Sequence, residues 1–409
     1  MEQQFTTKQL KRREQIVAAG LVTWQHTDFS VLTMDAVAAE LGVSKPALYR
    51  YFSSKDELIR AIDDSAAHSI LTHGSSWLSA TGSADLLTMS MLLVQHAAAL
   101  FTENPYALQC VTARRYFLEP ASRTALLALG KQMEDRLADR ADRDTADYLL
   151  FSAAVWNIYR HFCGSAPAEH QQLLNHAAVT DGWILERCLN GIAGPQAKSA
   201  SIDYVGVEQA FTPNRSETRR EPHRIFTAIE QVVSEVGVAE ATVQRIAERI
   251  GISTSSLYFH FSDRSDMITQ TIEQERQHFI ELLHRCRADF TGSPLEQLYG
   301  LMLLLDTYYR INPEILTVGN WIRSQTVRIA EPPSPPNLDQ DFPFLTEGIT
   351  SGWYTDQITS FSILAYLQMF VIHHRFFDAG RKESPCSIAC MRRRFRLAFY
   401  GIETQGNTR

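Results

Sequence analysis

No glycine-rich phosphate loop, nucleophile elbow or metalloprotease helix occurs anywhere in the 409 residues, so catalysis has no support in the sequence and no enzyme is expected. The six cysteines, Cys110, Cys163, Cys188, Cys286, Cys386 and Cys390, lack the paired short spacings of a zinc ribbon or a secreted disulfide framework, which fits a reducing compartment. The opening stretch MEQQFTTKQLKRREQ has no apolar signal-peptide core, and no continuous apolar run reaches the roughly 18 residues of a spanning helix. The expectation is a soluble, cytoplasmic protein with no membrane partner. Net basicity is missing too: the formal charge is -7, so any surface that faces nucleic acid must be local. Disorder on a large scale is excluded by 45% hydrophobic against 21% charged residues.

What the chain does contain is one stretch written twice. Thr33 to Ile59, TMDAVAAELGVSKPALYRYFSSKDELI, lies over Thr242 to Ile268, TVQRIAERIGISTSSLYFHFSDRSDMI, after a shift of 209 positions from Thr33 to Thr242. Thr33, Ala38, Gly42, Ser44, Leu48, Tyr49, Phe52, Ser53 and Ile59 recur as Thr242, Ala247, Gly251, Ser253, Leu257, Tyr258, Phe261, Ser262 and Ile268. A repeat of this length, in a chain too long for one core, predicts two equivalent halves. In the first copy Met34, Val37, Ala38 and Leu41 make one apolar helical face that stops at Gly42. Ser44 is placed to cap a second helix, with Pro46 in its first turn and Leu48 and Phe52 on its buried side. Ser54 and Glu57 are spaced as a capping box for a third. Two short helices around a tight turn form a helix-turn-helix, which sets the second helix into the DNA major groove.

In these residues the sequence resembles the tetracycline-repressor (TetR) family, whose DNA-binding domain carries a T-x-x-x-x-A-x-x-x-G-V-S-x-x-x-L-Y-x-x-F-x-x-K-x-x-L pattern. The second copy departs mildly, with Arg264 in the place of Lys55 and Met267 in the place of Leu58. The resemblance implies phosphate contacts from Thr33, Tyr49, Tyr51 and Lys55, and from Thr242, Tyr258, His260 and Arg264. It implies that Ser44, Lys45, Pro46 and Ala47, and Ser253, Thr254, Ser255 and Ser256, face bases. The Lys8, Lys11, Arg12 and Arg13 arm is weighed equally as a phosphate contact and as a solvated helix start.

The remaining pattern is helical without alternating strands, which predicts an all-α chain. The expected divisions are residues 1–54 for the first helix-turn-helix domain, 55–191 for a helical regulatory domain, 192–222 for a Gly, Ser and Pro-rich linker, 223–263 for the second helix-turn-helix domain and 264–409 for the second regulatory domain. The last two helices of each half are expected at 145–162, 168–189, 354–377 and 386–400. By the resemblance they form a four-helix interface, so that one chain acts as a monomeric, intramolecular pseudo-dimer on a double-stranded, imperfectly palindromic operator. The resemblance also implies a repressor released by a small hydrophobic effector. Met89, Phe101, Tyr106, Phe117 and Trp156 in one half, and Met302, Tyr308, Tyr309 and Trp321 in the other, are the candidates to line its pocket, against the plainer reading that they are core. The alternative is a DNA-binding regulator controlled by a protein partner or by abundance. His373, His374 and Asp378 share one helix but supply too few ligands on their own, so neither metal nor cofactor is expected. Arg392, Arg393, Arg394 and Arg396 read as a solvated or ion-paired face. The Pro-rich stretch 331–343 reads as a mobile loop, with a docked lid as the alternative.

Overall fold

The computed structural model describes residues 5–26, 32–104, 107–114, 118–165, 179–219, 224–237, 240–256, 261, 264–325, 338–380 and 387–402. Among these the chain is helical, and the one extended contact is an isolated antiparallel bridge between Ala193 and Tyr354. The first half runs through Thr7–His26, Met34–Glu40, Lys45–Tyr49, Lys55–Ala80, Leu86–Glu103, Ala107–Arg114, Pro120–Ala138, Arg143–Ser165 and Asp181–Asn190. The second runs through Arg224–Val236, Val243–Ile250, Arg264–Arg287, Pro294–Ile311, Glu314–Gln325, Pro343–Thr350, Ser360–Gly380 and Ile388–Tyr400.

The ends of these helices follow from local chemistry. Asp85, Thr180 and Ser387 each cap with a side-chain oxygen, and Ser293 with Glu296 completes a reciprocal capping box. Pro120, Pro294 and Pro343 sit in first turns, where the missing N–H costs nothing. Leu86–Glu103 is long and apolar enough, by length and composition, to cross a membrane. That departs from the expectation of no such stretch, because Thr88, Gln95 and His96 interrupt the continuous apolar run yet leave its mean hydropathy high. Met89, Leu93, Val94 and Phe101 on this helix are buried inside the protein.

The halves pack through the helices Arg143–Ser165 and Asp181–Asn190 of one and Ser360–Gly380 and Ile388–Tyr400 of the other, and one continuous apolar cluster spans both. The contact is reciprocal. Ile192 N donates to Phe399 O at 2.8 Å, and Ile402 N donates to Leu189 O at 2.8 Å. Gly191 (φ 62°) and Gly401 (φ 71°) end the two helices where these backbones meet. A Cβ on Gly191 would lie 2.3 Å from Phe399 O, and one on Gly401 2.1 Å from Leu189 O. A shift of 210, from Leu189 to Phe399 and from Ile192 to Ile402, exchanges the partners, which is the signature of a self-complementary two-fold contact. The same shift carries Trp156 onto Tyr366. Their rings stack on each other with centroids 4.8 Å apart and an interplanar angle of 13°, as residues beside a two-fold axis do.

The segment expected as an aperiodic linker is instead anchored. It holds a short helix, Tyr204–Ala210, and buries Ile192, Ala197, Val207 and Phe211. Phe211 fills the space left by Gly300, Glu208 pairs with Arg392 at 2.6 Å, and Asp203 N donates to Glu296. Sparse anchors among Gly, Ser and Pro hide such packing from a composition reading. Tyr354, placed in a helix by the sequence, lies in the bridge to Ala193, and its helix begins at Ser360. Arg392 and Arg393 are ion-paired, whereas Arg394 is buried. Of the Pro-rich stretch, residues 331–337 lie outside the described residues.

Gly191→Ala and Gly401→Ala should each destabilise the chain by more than about 2 kcal/mol, since a positive-φ backbone with ψ of −148° and −160°, which hardly any residue but glycine adopts, costs on the order of 1–3 kcal/mol and the new methyl also meets backbone. Urea unfolding followed by tryptophan fluorescence measures this, and a loss below about 1 kcal/mol for both would refute the clasp.

Candidate nucleic-acid interface

In the first copy Thr33 caps Met34–Glu40 by accepting from Ala36 N at 3.1 Å. The helix ends in a turn in which Val43 N donates to Ala38 O and Gly42 N to Ala39 O, with Gly42 at φ 64°. This pair of bonds is a Schellman motif, and glycine enters its left-handed position without penalty. Lys45–Tyr49 then rises from the turn with Leu48 buried and Ser44, Lys45, Pro46 and Tyr49 exposed. Beneath it Val37, Ala38, Leu48, Phe52, Leu58 and Ile62 make a separate small core with Ile16.

The second copy repeats the construction atom for atom at the turn. Thr242 accepts from Arg245 N at 3.3 Å, Ile252 N donates to Ala247 O, and Gly251 N donates to Glu248 O with Gly251 at φ 82°. The bases of the two copies differ. In the first, Arg13 donates to Tyr51 O, meets Glu57 at 3.3 Å and lies 4.1 Å over the Phe52 ring, tying the first helix to the end of Lys45–Tyr49. In the second, Arg249 pairs with Glu235, and Trp321 Nε1 donates to Ala241 O at 2.7 Å. Trp321 comes from Glu314–Gln325, which packs on Arg224–Val236 and also touches Ala107–Arg114 of the first half.

Several expected roles move. Ser44 occupies the cap position but makes no side-chain cap bond, whereas Ser253 caps its helix by accepting from Ser256 N at 2.9 Å. Ser54 accepts from Glu57 N, but the Glu57 carboxylate returns to Ser53 N and Ser53 Oγ, one residue earlier than a capping box requires. Arg13 serves the internal clip, which leaves Lys8 and Lys11 as the exposed part of the basic arm. Lys45 pairs with Asp35 at 2.7 Å, and this hydrogen bond, with the carboxylate's charge, raises its pKa and keeps it a cation. Tyr51 packs partly on the small core, Ala47 and Lys55 are half-buried, and Thr254, Ser255 and Ser256 are at least partly exposed. Tyr258 and His260, and the side chain of Arg264, lie outside the described residues. Arg13, Asp35 and Trp321 were not legible as partners because their contacts join distant positions. The spacing of Asp35 and Lys45 across one turn is the nearest thing to a signal.

The expected effector-lining side chains are mostly core. Met89, Trp156, Met302, Tyr308, Tyr309 and Trp321 are buried, and the tyrosines and Trp321 have structural partners, Tyr308 with Glu275 and Tyr309 with Gln368. Tyr106 and Phe117 lie outside the described residues. Phe101 does border an open cleft of about 690 Å³, together with Gln95, Thr102, Asn157, Arg160, His161 and Asp181. Arg160 spans its floor, 2.6 Å from Asp181 and 2.5 Å from Asn157, and burial lowers the pKa of His161. With Ala98 and Ala99 also in its lining, the cleft is mixed, about as polar as apolar, rather than the mostly apolar pocket foreseen.

Comparison with known proteins agrees with the repeated geometry. The family model described as "Bacterial regulatory proteins, tetR family" matches residues 16–62 and again residues 225–271, at the same 209-residue shift. The chain is 31% identical over 84 residues to the HTH-type transcriptional regulator BetI of Stenotrophomonas maltophilia (strain R551-3), which covers 20% of this chain and 42% of that protein. It is 26% identical over 89 residues to the HTH-type transcriptional regulator AcrR of Shigella flexneri, covering 22% and 41%. The chain thus spans about two-fifths of the length of the curated relatives it matches. Among solved structures, the fatty acid degradation regulator FadR from Bacillus halodurans aligns with 45% of this chain and 99% of its own, at 16% identity and a TM-score of 0.32.

Gly42→Ala and Gly251→Ala meet no atom within 4 Å, so only the backbone conformation is penalised. Each should cost about 1–2 kcal/mol, less than the same change at Gly191 or Gly401. Hydrogen exchange should localise the loosening to residues 34–49 and 243–256. A loss confined to one copy would show that the two turns are not equivalent.

Proposed function

We infer, from a chain that carries two TetR-family DNA-binding domains in tandem, a sequence-specific transcriptional regulator that reads one operator with two unlike heads. The observation that carries this reading is the pair of matching glycine turns, each presenting a different and at least partly exposed set of side chains. Lys45, Pro46 and Ala47 stand in one reading helix and Thr254, Ser255 and Ser256 in the other. Lysine donates to the guanine acceptors of the major groove, whereas hydroxyls accept or donate and are more permissive. Dimeric helix-turn-helix proteins set two such helices about 34–36 Å apart to reach successive grooves. In this chain the helices that would pair two subunits are already buried against each other, which supports a monomer working as an intramolecular pseudo-dimer.

We read the protein as a repressor that leaves its operator when a small molecule binds. The cleft beside Arg160 and His161, with Ala98, Ala99 and Phe101 on its other side, supports an amphipathic effector rather than the purely hydrophobic one implied by resemblance. Binding there would bear on Leu86–Glu103 and Arg143–Ser165 at once, and so favour one separation of the heads over another. The second reading, control by a protein partner or by abundance, is favoured by the packed state of most candidate lining residues. A thermal-shift panel of apolar and polar acids separates the two, because a ligand specific to the folded chain raises the midpoint. Failure of every compound would favour the second reading.

Genome-wide recovery of bound DNA should return an imperfect palindrome. Replacing either half-site by the inverted repeat of the other should weaken binding by about 1–3 kcal/mol per mismatched pair. Tyr49→Phe, which removes one exposed hydroxyl, should lower affinity about tenfold for all sequences alike, since a hydrogen bond to a charged group contributes roughly 1.5–3 kcal/mol. Tyr258→Phe should do the same. Equal affinity for both symmetrised operators and the native one would remove the asymmetry, and an effect of Tyr49→Phe alone would make the second copy a scaffold.

A further inference from the structure

We propose that Asp147, His373 and His374 form a site for one divalent transition-metal ion of the zinc class, held between the two halves of the chain. Asp147 stands on Arg143–Ser165 of the first half, and both histidines stand on Ser360–Gly380 of the second. Neighbouring residues on an α-helix diverge by about 100°, so adjacent side chains seldom share a target. Here a single carboxylate receives both: its Oδ1 is 2.9 Å from His373 Nε2 and its Oδ2 is 3.1 Å from His374 Nδ1. One donor atom from each of the three residues lies within 4.8 Å of the others. Bonds of roughly 2.0–2.2 Å to an ion require donors no more than about 4.2 Å apart, which a ring shift of under about 1 Å supplies.

His374 is the second, independent observation. The residue is 4% exposed, and neither ring nitrogen has a partner in hydrogen-bond geometry. Its Nδ1 keeps only the ion-pair contact with Asp147 Oδ2, outside hydrogen-bond alignment, and its buried Nε2 makes no hydrogen bond. Phe370 stands edge-on to this ring at 4.3 Å, and Phe151 lies 5.0 Å from the His373 ring, so both imidazoles are walled in place. Two imidazoles and a carboxylate suit zinc, cobalt, nickel or ferrous ions. They offer too few oxygens for calcium or magnesium and no thiolate for cuprous copper. Three protein ligands leave a position for water or a small anion. The charge of buried Arg394 acts on His374 and opposes any cation there, so affinity depends most on the carboxylate. The 210-residue shift that relates the halves carries Asp147 to Gln357, and the positions it relates to His373 and His374 are Cys163 and Gly164. No second copy of the triad exists, and the stoichiometry is one ion per chain.

The test uses the full, tag-free chain stripped with a chelator. Calorimetry with Zn²⁺ should show one tight site, Co²⁺ should develop visible d–d absorption, and Zn²⁺ should raise the thermal midpoint until a chelator is added. Asp147→Asn and His374→Gln should each weaken Zn²⁺ binding by about 100-fold or more, beyond the loss of an outer-shell partner. His373→Gln, at a partly exposed position, gives the same answer should either buried variant fail to fold. Absence of a stoichiometric site, or equal affinity in the parent and the folded variants, would overturn the proposal and leave the triad as an ion pair between the halves.

Discussion

The backbone clasp at Gly191 and Gly401 is the constraint on which the rest of the molecule depends. Two helix ends approach so closely that neither can carry a side chain, and each supplies the N–H that satisfies the other's neighbouring carbonyl. Hydrogen bonds between terminal carbonyls and incoming amides remove the cost of burying unsatisfied backbone. Around them Trp156 and Tyr366 stack, and Ser152 meets the Tyr366 hydroxyl at 3.2 Å. The contact is two-fold in form, yet the residues on its two sides, such as Trp156 and Tyr366, are not identical.

Freedom from identity has consequences on both sides of that interface. The two helix-turn-helix units keep the same turn but are braced differently, by Arg13 in one and by Trp321 in the other. In the middle, Ala107–Arg114 of the first half touches Glu314–Gln325 of the second, the helix that carries Trp321, so the first half is in contact with the brace of the second helix-turn-helix. The cross-half triad of Asp147, His373 and His374 has no mirror image. A homodimer would have to carry two such sites or none.

Connection also matters. The segment between the halves is bound along the second half by Phe211 against Gly300, by Glu208 with Arg392 and Tyr299, and by the Asn312 side chain donating to Thr218 O. It is fixed along Pro294–Ile311 and Ile388–Tyr400 of the second half rather than being a bare tether. An anchored connector loses less entropy on pairing than a loose one of the same length.

What the sequence determined by itself was the part governed by short spacing. Gly42 and Gly251 must end helices in a left-handed turn, the apolar faces before and after them must pack into small cores, and a repeat of that pattern must produce two heads. Helical periodicity likewise placed the long helices of both halves, though not the start of Ser360–Gly380, where Tyr354 is drawn into a bridge with Ala193. What only the tertiary structure decided depends on contacts between distant positions. Periodicity marks a side chain as buried without naming its neighbour, so it could not tell core from pocket at Trp321 or Met302, nor find anchors in a Gly and Ser-rich connector. It placed His373 and His374 on a helix with Asp378, whereas folding brings them to Asp147, because the partner of a buried polar group is chosen by packing between the halves and not by spacing along one helix.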